Sequence, residues 1–241
     1  MKSKSSYLFL LPFCLLSITN AHSQALNAKT LSFGTGNIFS GYGGATNGAA
    51  IGANNQLLRN YNLAIGNSNK FYGSYNLAVG GFNTFGANTE ATGSAVIGFG
   101  SRISASGSLA IGSYNTMDDD YEFGSGNDSL LAGKWNESFG YASFCIGSNN
   151  SVSYFSTVDS IGFPGNTMLL GKGLISRTDD CVVVGKNNIA ASERQTGASA
   201  PVFVVGTGQS ATARADALVV RANGDIIITK AQGDISMGIY Q

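Results

Sequence analysis

Residues 62–83 read NLAIGNSNKFYGSYNLAVGGFN, so that a phrase of a polar residue, leucine, alanine, a branched apolar residue and glycine occurs twice, 14 residues apart. The phrase returns as SLAIG at residues 108–112. A fixed short period predicts a stack of similar coils, and such a stack offers a long surface more readily than a pocket. We therefore expect an all-β fold, a parallel β-roll or solenoid with coils of about 14 residues and two short strands in each coil.

A glycine ends each phrase, and in most copies an asparagine follows it by three residues. The glycine suits a turn at positive φ. Stacked at one coil spacing, the asparagines would form a hydrogen-bonded ladder, although asparagine also suits turns for purely local reasons. Further anchoring glycines are Gly34, Gly162, Gly171 and Gly206, and the insertions between copies are expected in turns. The structural repeat residues predicted from the sequence are Gly52, Gly66, Gly80, Gly98, Gly112, Gly133, Gly147 and Gly185, with Asn55, Asn69, Asn83, Asn115, Asn136 and Asn150.

The residues before each glycine alternate between two faces of a strand. One face is bulky, as in Leu63, Ile65, Leu77 and Val79, and we expect it to fill the interior of the roll. The other face is small, and a second backbone could approach it closely. We therefore expect an oligomer packed side by side through the small face, because a core this thin gains stability by association. The expected interface residues are Ala50, Ala64, Ala78 and Ala110.

The N-terminus has the features of a secretory signal peptide. Lys2 and Lys4 precede an apolar run at residues 7–16, and small residues follow up to Ala25. The run is short for a bilayer span, so residues 1–25 are expected to be a cleaved signal rather than a membrane anchor. No later segment looks like a transmembrane helix. The protein is therefore expected outside the cell or at its outer surface.

Composition excludes several classes of function. Without Lys2 and Lys4, 12 of the 14 basic residues remain against 14 acidic ones, and no basic patch indicates nucleic acid. The single histidine, His22, lies in or beside the signal, so neither a histidine-based triad nor a zinc site is expected, and no cofactor is expected. Cys145 and Cys181 lie at least two coils apart, which predicts two buried thiols rather than a disulfide.

We divide the chain into four parts. Residues 1–25 are the signal, residues 26–190 hold the head repeats, and residues 191–214 form a linker and the last coil. Residues 215–241 are predicted to form a C-terminal β-meander, with strands at 217–221, 225–230 and 234–240 and turns at 222–224 and 231–233. Such a meander would cap the exposed edge of the roll.

The phrases resemble the head repeats of trimeric autotransporter adhesins, the YadA-like head. The resemblance rests on residues 62–66, 76–80 and 108–112, with weaker copies at 94–98, 129–133 and 143–147, and it spans about residues 31–206. It implies a left-handed parallel β-roll, three subunits around one axis, and a role in attachment to host matrix, cells or other bacteria. The adhesins continue into a coiled-coil stalk and a membrane anchor. No heptads are found in this sequence, so the resemblance supports the fold and the trimer better than it supports anchoring.

Two groups of residues are candidate sites. The acidic cluster Asp118, Asp119, Asp120 and Glu122 could hold calcium, or it could be a solvated loop, because it lacks the spacing of a known calcium-binding loop. A set of aromatic residues falls largely in turns and second strands, where it could recognise partners or sugars or could pack between subunits. That set is Phe71, Tyr72, Tyr75, Phe82, Tyr114, Tyr121, Trp135 and Tyr141.

The sequence therefore predicts a secreted or cell-surface, adhesin-like head protein that is homotrimeric and non-enzymatic and has a matrix, cell-surface or glycan ligand. One alternative is a structural fibre or matrix component without a specific receptor. Another is a carbohydrate-active enzyme, since such enzymes occur on solenoids. No pair of acids in the sequence is placed on facing positions of neighbouring coils, as that enzyme would require.

Overall fold

In a computed structural model of the 241-residue chain, the fold is all-β. The structure describes residues 30–40, 47–86, 91–118, 127–153, 155–156, 161–162, 164–190 and 197–229. The predicted signal peptide, the predicted third meander strand and the predicted turn at 231–233 lie outside these ranges. Among the described residues the only helical element is the 3₁₀ turn Gly197–Ser199, and no helix is long and apolar enough to cross a bilayer.

Within the described residues, eleven parallel strands and two antiparallel strands form one large sheet. Its order is β1-β3-β5-β7-β9-β11-β13-β15-β19-β21-β22-β23-β24, so each strand pairs with the equivalent strand of the next coil. The strands are β1 (Thr30–Phe33), β3 (Gly48–Ala53), β5 (Asn62–Asn67), β7 (Leu77–Gly81), β9 (Ala95–Phe99), β11 (Leu109–Ser113), β13 (Leu130–Lys134), β15 (Phe144–Ser148), β19 (Met168–Lys172), β21 (Val182–Lys186), β22 (Pro201–Thr207), β23 (Asp216–Arg221) and β24 (Ile226–Ile228).

A second parallel sheet, made of two-residue strands, closes the other side of the roll. Its strands are β2 (Ile38–Phe39), β4 (Gln56–Leu57), β6 (Lys70–Phe71), β8 (Thr84–Phe85), β10 (Arg102–Ile103), β12 (Thr116–Met117), β14 (Glu137–Ser138), β16 (Ser151–Val152) and β20 (Ile175–Ser176). Together the two sheets make nine two-stranded coils. At about 4.8 Å for each coil, the eleven parallel strands of the large sheet extend for about 50 Å. The predicted parallel solenoid is confirmed.

The roll has two different edges. From β3 to β20, two residues connect each strand of the large sheet to the following short strand, and we call this side the tight edge. The return connection to the next coil takes between four and fifteen residues, and we call this side the loop edge. All the length variation of the repeat therefore falls on one edge, which leaves the stacking of the strands undisturbed.

One predicted anchor lies outside the stack. Gly147 pairs directly with Gly171 in the large sheet. Gly162 instead belongs to β18 (Ile161–Gly162), which pairs antiparallel with β17 (Phe155–Ser156). The expectation of a coil at Gly162 was wrong, because an apolar residue followed by glycine within an insertion imitates the end of the repeat phrase.

The glycine of each coil lies against the glycine of the next. Gly66 has φ +125°, and a methyl group placed on its Cα would lie 1.9 Å from the carbonyl oxygen of Gly80. The same approach repeats along the stack, and the repeat glycines from Gly52 to Gly147 have φ between +110° and +150°. Only glycine combines this backbone conformation with so close an approach of a neighbouring chain. The predicted positive φ is confirmed.

The interior of the roll is filled differently from the prediction. Ala50, Ala64, Ala78 and Ala110 point inward and are completely buried within the single chain. The bulky residues beside them point outward, and Ile51 and Ile65 are 42% and 38% exposed. The assignment of the two faces was therefore wrong, and the four alanines cannot contact a second subunit through an outer face. Several of the largest buried side chains come instead from the short strands, whose second residue points inward, as in Leu57, Phe71, Phe85, Ile103 and Met117.

Inward residues of the two sheets are complementary in size in six of the nine described coils. In these coils the short strand supplies a large side chain where the large sheet supplies alanine, and it supplies serine where the large sheet supplies leucine. The six coils thus keep a similar interior volume, as a close-packed core requires. The buried pairs are Ala50 with Leu57, Ala64 with Phe71, Ala78 with Phe85, Ala110 with Met117, Leu131 with Ser138, and Leu169 with Ser176.

The C-terminal end reverses direction. Strand β22 is the last parallel strand, and β23 pairs with it antiparallel. Strand β24 then pairs antiparallel with β23 across a turn at residues 222–224, where Gly224 has φ +88°. This agrees with the first hairpin of the predicted meander.

Candidate interaction surfaces

The outer surface of the large sheet is a continuous apolar face. On the part of each parallel strand that precedes the anchoring glycine, two side chains point outward, at the positions one and three residues before that glycine, and all of them are apolar. We call these two columns the apolar face. The first column is Leu31, Ala49, Leu63, Leu77, Ala95, Leu109, Leu130, Phe144, Met168, Val182 and Phe203, and the second is Phe33, Ile51, Ile65, Val79, Ile97, Ile111, Ala132, Ile146, Leu170, Val184 and Val205.

The exposure of this face is unusual for a single soluble chain. Ile97 is 46% exposed, Ile111 40% and Ile146 42%. Scattered apolar side chains on a surface need no explanation, but a contiguous patch along a sheet about 50 Å long does. Burying it removes a large apolar area from water, so the face favours association.

A buried asparagine ladder runs along the tight edge. The side-chain amide of Asn69 donates to Oδ1 of Asn55 over 2.9 Å and to the carbonyl oxygen of Gly80 over 3.0 Å. Oδ1 of Asn69 accepts in turn from the side chain of Asn83 over 2.9 Å. Asn136 repeats the arrangement on Asn115 over 3.2 Å. The asparagine ladder predicted from the sequence is confirmed. The predicted repeat asparagines are 0% or 1% exposed, so they hold the stack together rather than bind a ligand.

A second polar ladder, not predicted from the sequence, lies at the start of the large-sheet strands. The backbone N–H of Asn76 donates to Oδ1 of Asn62 over 2.9 Å, and the backbone N–H of Ser94 donates to Oδ1 of Asn76 over 2.9 Å. Serine hydroxyls continue it, with the N–H of Ser108 donating to Oγ of Ser94 over 3.1 Å. The signal was the small polar residue that opens each repeat phrase. The side chains of Asn62, Asn76, Ser94 and Ser108 are all hydrogen-bonded within the chain.

Aromatic side chains divide between the core and the surface. Phe71 and Phe85 are buried and stacked, with ring centroids 4.8 Å apart. On the tight edge four exposed rings follow one another on successive coils, and we call them the aromatic ridge. Neighbouring centroids along the ridge are 5.2, 5.8 and 6.1 Å apart. The rings are Phe82, Phe99, Tyr114 and Trp135.

Other predicted aromatics lie elsewhere. Tyr75 is on the loop edge, 60% exposed and stacked on Tyr61 with centroids 4.6 Å apart. The ammonium group of Lys70 lies 4.8 Å from the ring centroid of Tyr72. Tyr141 is 44% exposed, and Tyr121 lies outside the described residues. The structure thus gathers only Phe82, Tyr114 and Trp135 of the predicted set on one ridge and adds Phe99, which the sequence analysis did not single out.

The acidic cluster is only partly described. Asp118 forms an ion pair of 3.4 Å with Arg102. Asp119, Asp120 and Glu122 lie outside the described residues, so a calcium site at this loop stays a prediction. Within the described ranges, no group of three or more acidic, cysteine or histidine side chains could hold a metal ion.

Burial raises the pKa of four titratable groups, namely Cys145, Cys181, Glu137 and Asp216. Burial raises the pKa of the Cys145 and Cys181 thiols to about 12, and both cysteines are free, as predicted. Such thiols are poor nucleophiles because almost none of the thiolate is present near neutral pH. The pKa of Glu137 is also raised, chiefly by burial, while a hydrogen bond with Ser151 lowers it and the charge of Asp118 raises it.

Comparisons with known proteins give no identification. No protein family matches this chain. No curated protein and no solved structure matches it either.

Proposed function

We propose that the chain is one subunit of a homotrimer in which the apolar faces of three rolls meet around a common axis. The observation that carries this proposal is the apolar face, which has no polar side chain at either outward position of its eleven parallel strands. A face of this kind is typical of a permanent interface. The number three comes from the resemblance of the repeat to the YadA-like head.

The trimer is proposed to be an exported attachment head without enzymatic activity. Residues 1–25 would direct its export, and the regular stack would hold a long, stiff surface outside the cell. Burial of the apolar faces would leave the short-strand sheets and the turns as the outer surface. Ligands of this surface would be matrix proteins, cell-surface molecules or glycans.

Binding of the purified protein, residues 26–241, tests this function. The trimer is applied to immobilised collagen-like matrix, to arrayed glycans and to host cells, and saturable binding to one of them is expected. The control is Ile97→Lys with Ile111→Lys, which places charges on the apolar face. Both side chains point away from the core, so the control should keep the β-sheet circular dichroism of the unmodified protein.

The control is expected to be monomeric and to lose avidity, with apparent binding about 10²- to 10⁴-fold weaker on a dense surface. Absence of saturable binding by an intact trimer would contradict the attachment function and favour a structural component. Equal binding by the trimer and a monomeric control would contradict a role for multivalent attachment.

A further inference from the structure

The two sheets of the roll end at different heights. Among the described residues the short sheet ends at β20, whereas the large sheet continues through β21, β22, β23 and β24. Four strands at about 4.8 Å each extend the large sheet by about 19 Å. Over this length no described strand of the short sheet lies opposite the inward side of the large sheet. We call this part of the inward side the open end.

The side chain of Asn188 ends the short sheet. Its Nδ2 donates to the carbonyl oxygen of Ile175 over 2.9 Å, and its Oδ1 accepts from the backbone N–H of Ile175 over 2.8 Å. In a parallel sheet these two backbone groups would pair with the next short strand. The guanidinium of Arg214 also donates to the carbonyl oxygens of Gly173 and Asn188, over 2.8 and 3.0 Å. Side chains therefore replace the next coil at the tight edge.

The inward column of the open end is apolar and becomes more exposed from strand to strand. Val183 is 1% exposed and Val204 is 5% exposed, whereas Ile227 on β24 is 39% exposed. Val219 lies between them, because it pairs with both Val204 and Ile227, and it is only partly buried. In the other coils the short strands cover this column. The open end thus exposes the side of the sheet that the rest of the roll buries.

A groove with a volume of about 180 Å³ lies over this column. Val183, Val204, Val219 and Ile227 line it, and Cys181 lies among the same lining residues. Cavities of about 150 Å³ hold a molecule the size of benzene. The groove therefore has room for one or two apolar side chains, and burying them there would remove apolar surface from water.

The polar residues of the groove have an excess of positive charge. Oδ1 of Asp216 accepts from the backbone N–H of Ile189 over 2.9 Å, and Nε of Arg177 donates to Oγ of Ser153 over 3.2 Å. Arg221 also lines the groove, and its side chain forms no ion pair or hydrogen bond with a residue of the described part of the chain. Two arginines against one acid favour an occupant that carries a negative charge.

A segment with matching chemistry follows in the sequence, outside the described residues. Residues 234–240 read DISMGIY, so that every second residue from Ile235 to Ile239 is apolar. In an extended chain this alternation places the three apolar side chains on one side. Asp234 supplies a carboxylate at the start of the segment.

The connection to this segment is long enough to reach the groove. Strand β24 ends at Ile228, and Thr229 is the last described residue. Residues 230–233 lie between Thr229 and Asp234, and this stretch spans up to about 16 Å when it is extended. Two packed β-layers are about 10 Å apart. The segment can therefore pass from the edge of the large sheet to a position opposite the inward column.

We propose that residues 234–240 lie across the open end of the roll, with Ile235, Met237 and Ile239 against the groove and the Asp234 carboxylate beside its arginines. The segment then covers the inward column at this end as the short strands cover it in the other coils. In the meander predicted from the sequence, the same residues would instead pair along the edge of β24 and leave the groove open. The inference depends neither on the proposed oligomer nor on the attachment function.

The reactivity of Cys181 towards a thiol reagent tests this inference in the folded protein of residues 26–241. Met237→Asp places a charge on the apolar side of the segment. The matched control is Ser236→Asp, which places the same charge on the opposite side. Cys145 lies in β15 inside the stack and is the reference thiol of the same molecule. Modification of each cysteine at pH 8 is followed by mass spectrometry of the peptide that contains it.

Met237→Asp is expected to accelerate modification of Cys181 at least tenfold relative to both the unmodified protein and Ser236→Asp, and to leave Cys145 unmodified. Ile235→Asp should have the same effect. Equal rates at Cys181 in Met237→Asp and Ser236→Asp would overturn the inference. Equal acceleration at both cysteines would also overturn it, because the segment would then support the whole stack rather than cover the groove. If protection of Cys181 in the unmodified protein were lost on dilution, the occupant would be a second copy of the chain.

Discussion

Replacing Asn69 by alanine tests the asparagine ladder, because this side chain makes four hydrogen bonds that alanine cannot replace. Its Nδ2 donates to Asn55 and to Gly80, and its Oδ1 accepts from both the backbone N–H and the side chain of Asn83. At about 1 kcal/mol for each buried hydrogen bond, Asn69→Ala should cost about 4 kcal/mol of unfolding free energy.

The matched control is Asn67→Ala, two residues earlier in the same coil. The Asn67 side chain is exposed and accepts only from the Ser68 hydroxyl, so its loss should change stability by less than about 0.5 kcal/mol. Thermal unfolding is followed by circular dichroism at one fixed protein concentration, since oligomer stability depends on concentration. For a chain of this length, 4 kcal/mol corresponds to a fall in Tm of roughly 8–16 °C.

The difference in Tm between the two variants shows whether the hydrogen bonds of the ladder stabilise the fold. A fall in Tm for Asn69→Ala within about 2 °C of that for Asn67→Ala would mean that the four hydrogen bonds contribute no more to stability than an exposed side chain does. A broad transition in several steps would show instead that one broken coil separates the stack into two cooperative units.

Three further predictions follow from the backbone and the buried groups. Gly66→Ala should destabilise the protein by more than about 3 kcal/mol, since the added Cβ would overlap a backbone carbonyl. The control Gly93→Ala, where φ is +68° and no atom lies near the added Cβ, should cost only about 1–2 kcal/mol of conformational strain. Equal losses of Tm in the two variants would contradict the close packing of the repeat glycines. Glu137→Gln should raise the Tm at pH 7 and leave it unchanged at pH 3. The pKa of Glu137 is raised in the folded chain, so the folded chain loses stability as pH rises past the pKa of an unperturbed glutamate. An equal change of Tm at both pH values would exclude ionisation of Glu137 as the cause. In the folded protein of residues 26–241, a thiol reagent at pH 8 should leave Cys145 and Cys181 unmodified, and it should detect two thiols after denaturation. Rapid reaction of the folded protein would contradict the burial of these thiols.

The features that sequence predicted correctly are those with strict local requirements. Gly66 and its equivalents need positive φ and leave no room for a Cβ, and Asn69 and its equivalents need hydrogen-bond partners one coil away. Both residue types therefore recur in the sequence with the period of the repeat. Cys145 and Cys181 were placed far apart by the same count. These predictions depend on the period of the repeat alone.

The alternation of large and small residues does not show which face of the large-sheet strands points into the core. A pattern such as Leu63-Ala64-Ile65 shows two faces but not which one is inside. The decision rests on the opposing strand, which is only two residues long and shows no periodicity of its own. The sequence did contain one indication of the correct orientation. In the coil of Leu131 and Ser138, leucine replaces the usual alanine of the large sheet, and serine replaces the usual large residue of the short strand.

The mass of the purified protein, residues 26–241, measured by light scattering coupled to size exclusion, is the most direct test of the claim that the apolar face is buried between subunits. We expect one species of three times the mass of the chain, stable on dilution, because a face about 50 Å long would be buried. A stable, soluble monomer would contradict this burial, since the apolar face would then be exposed to water in the native protein.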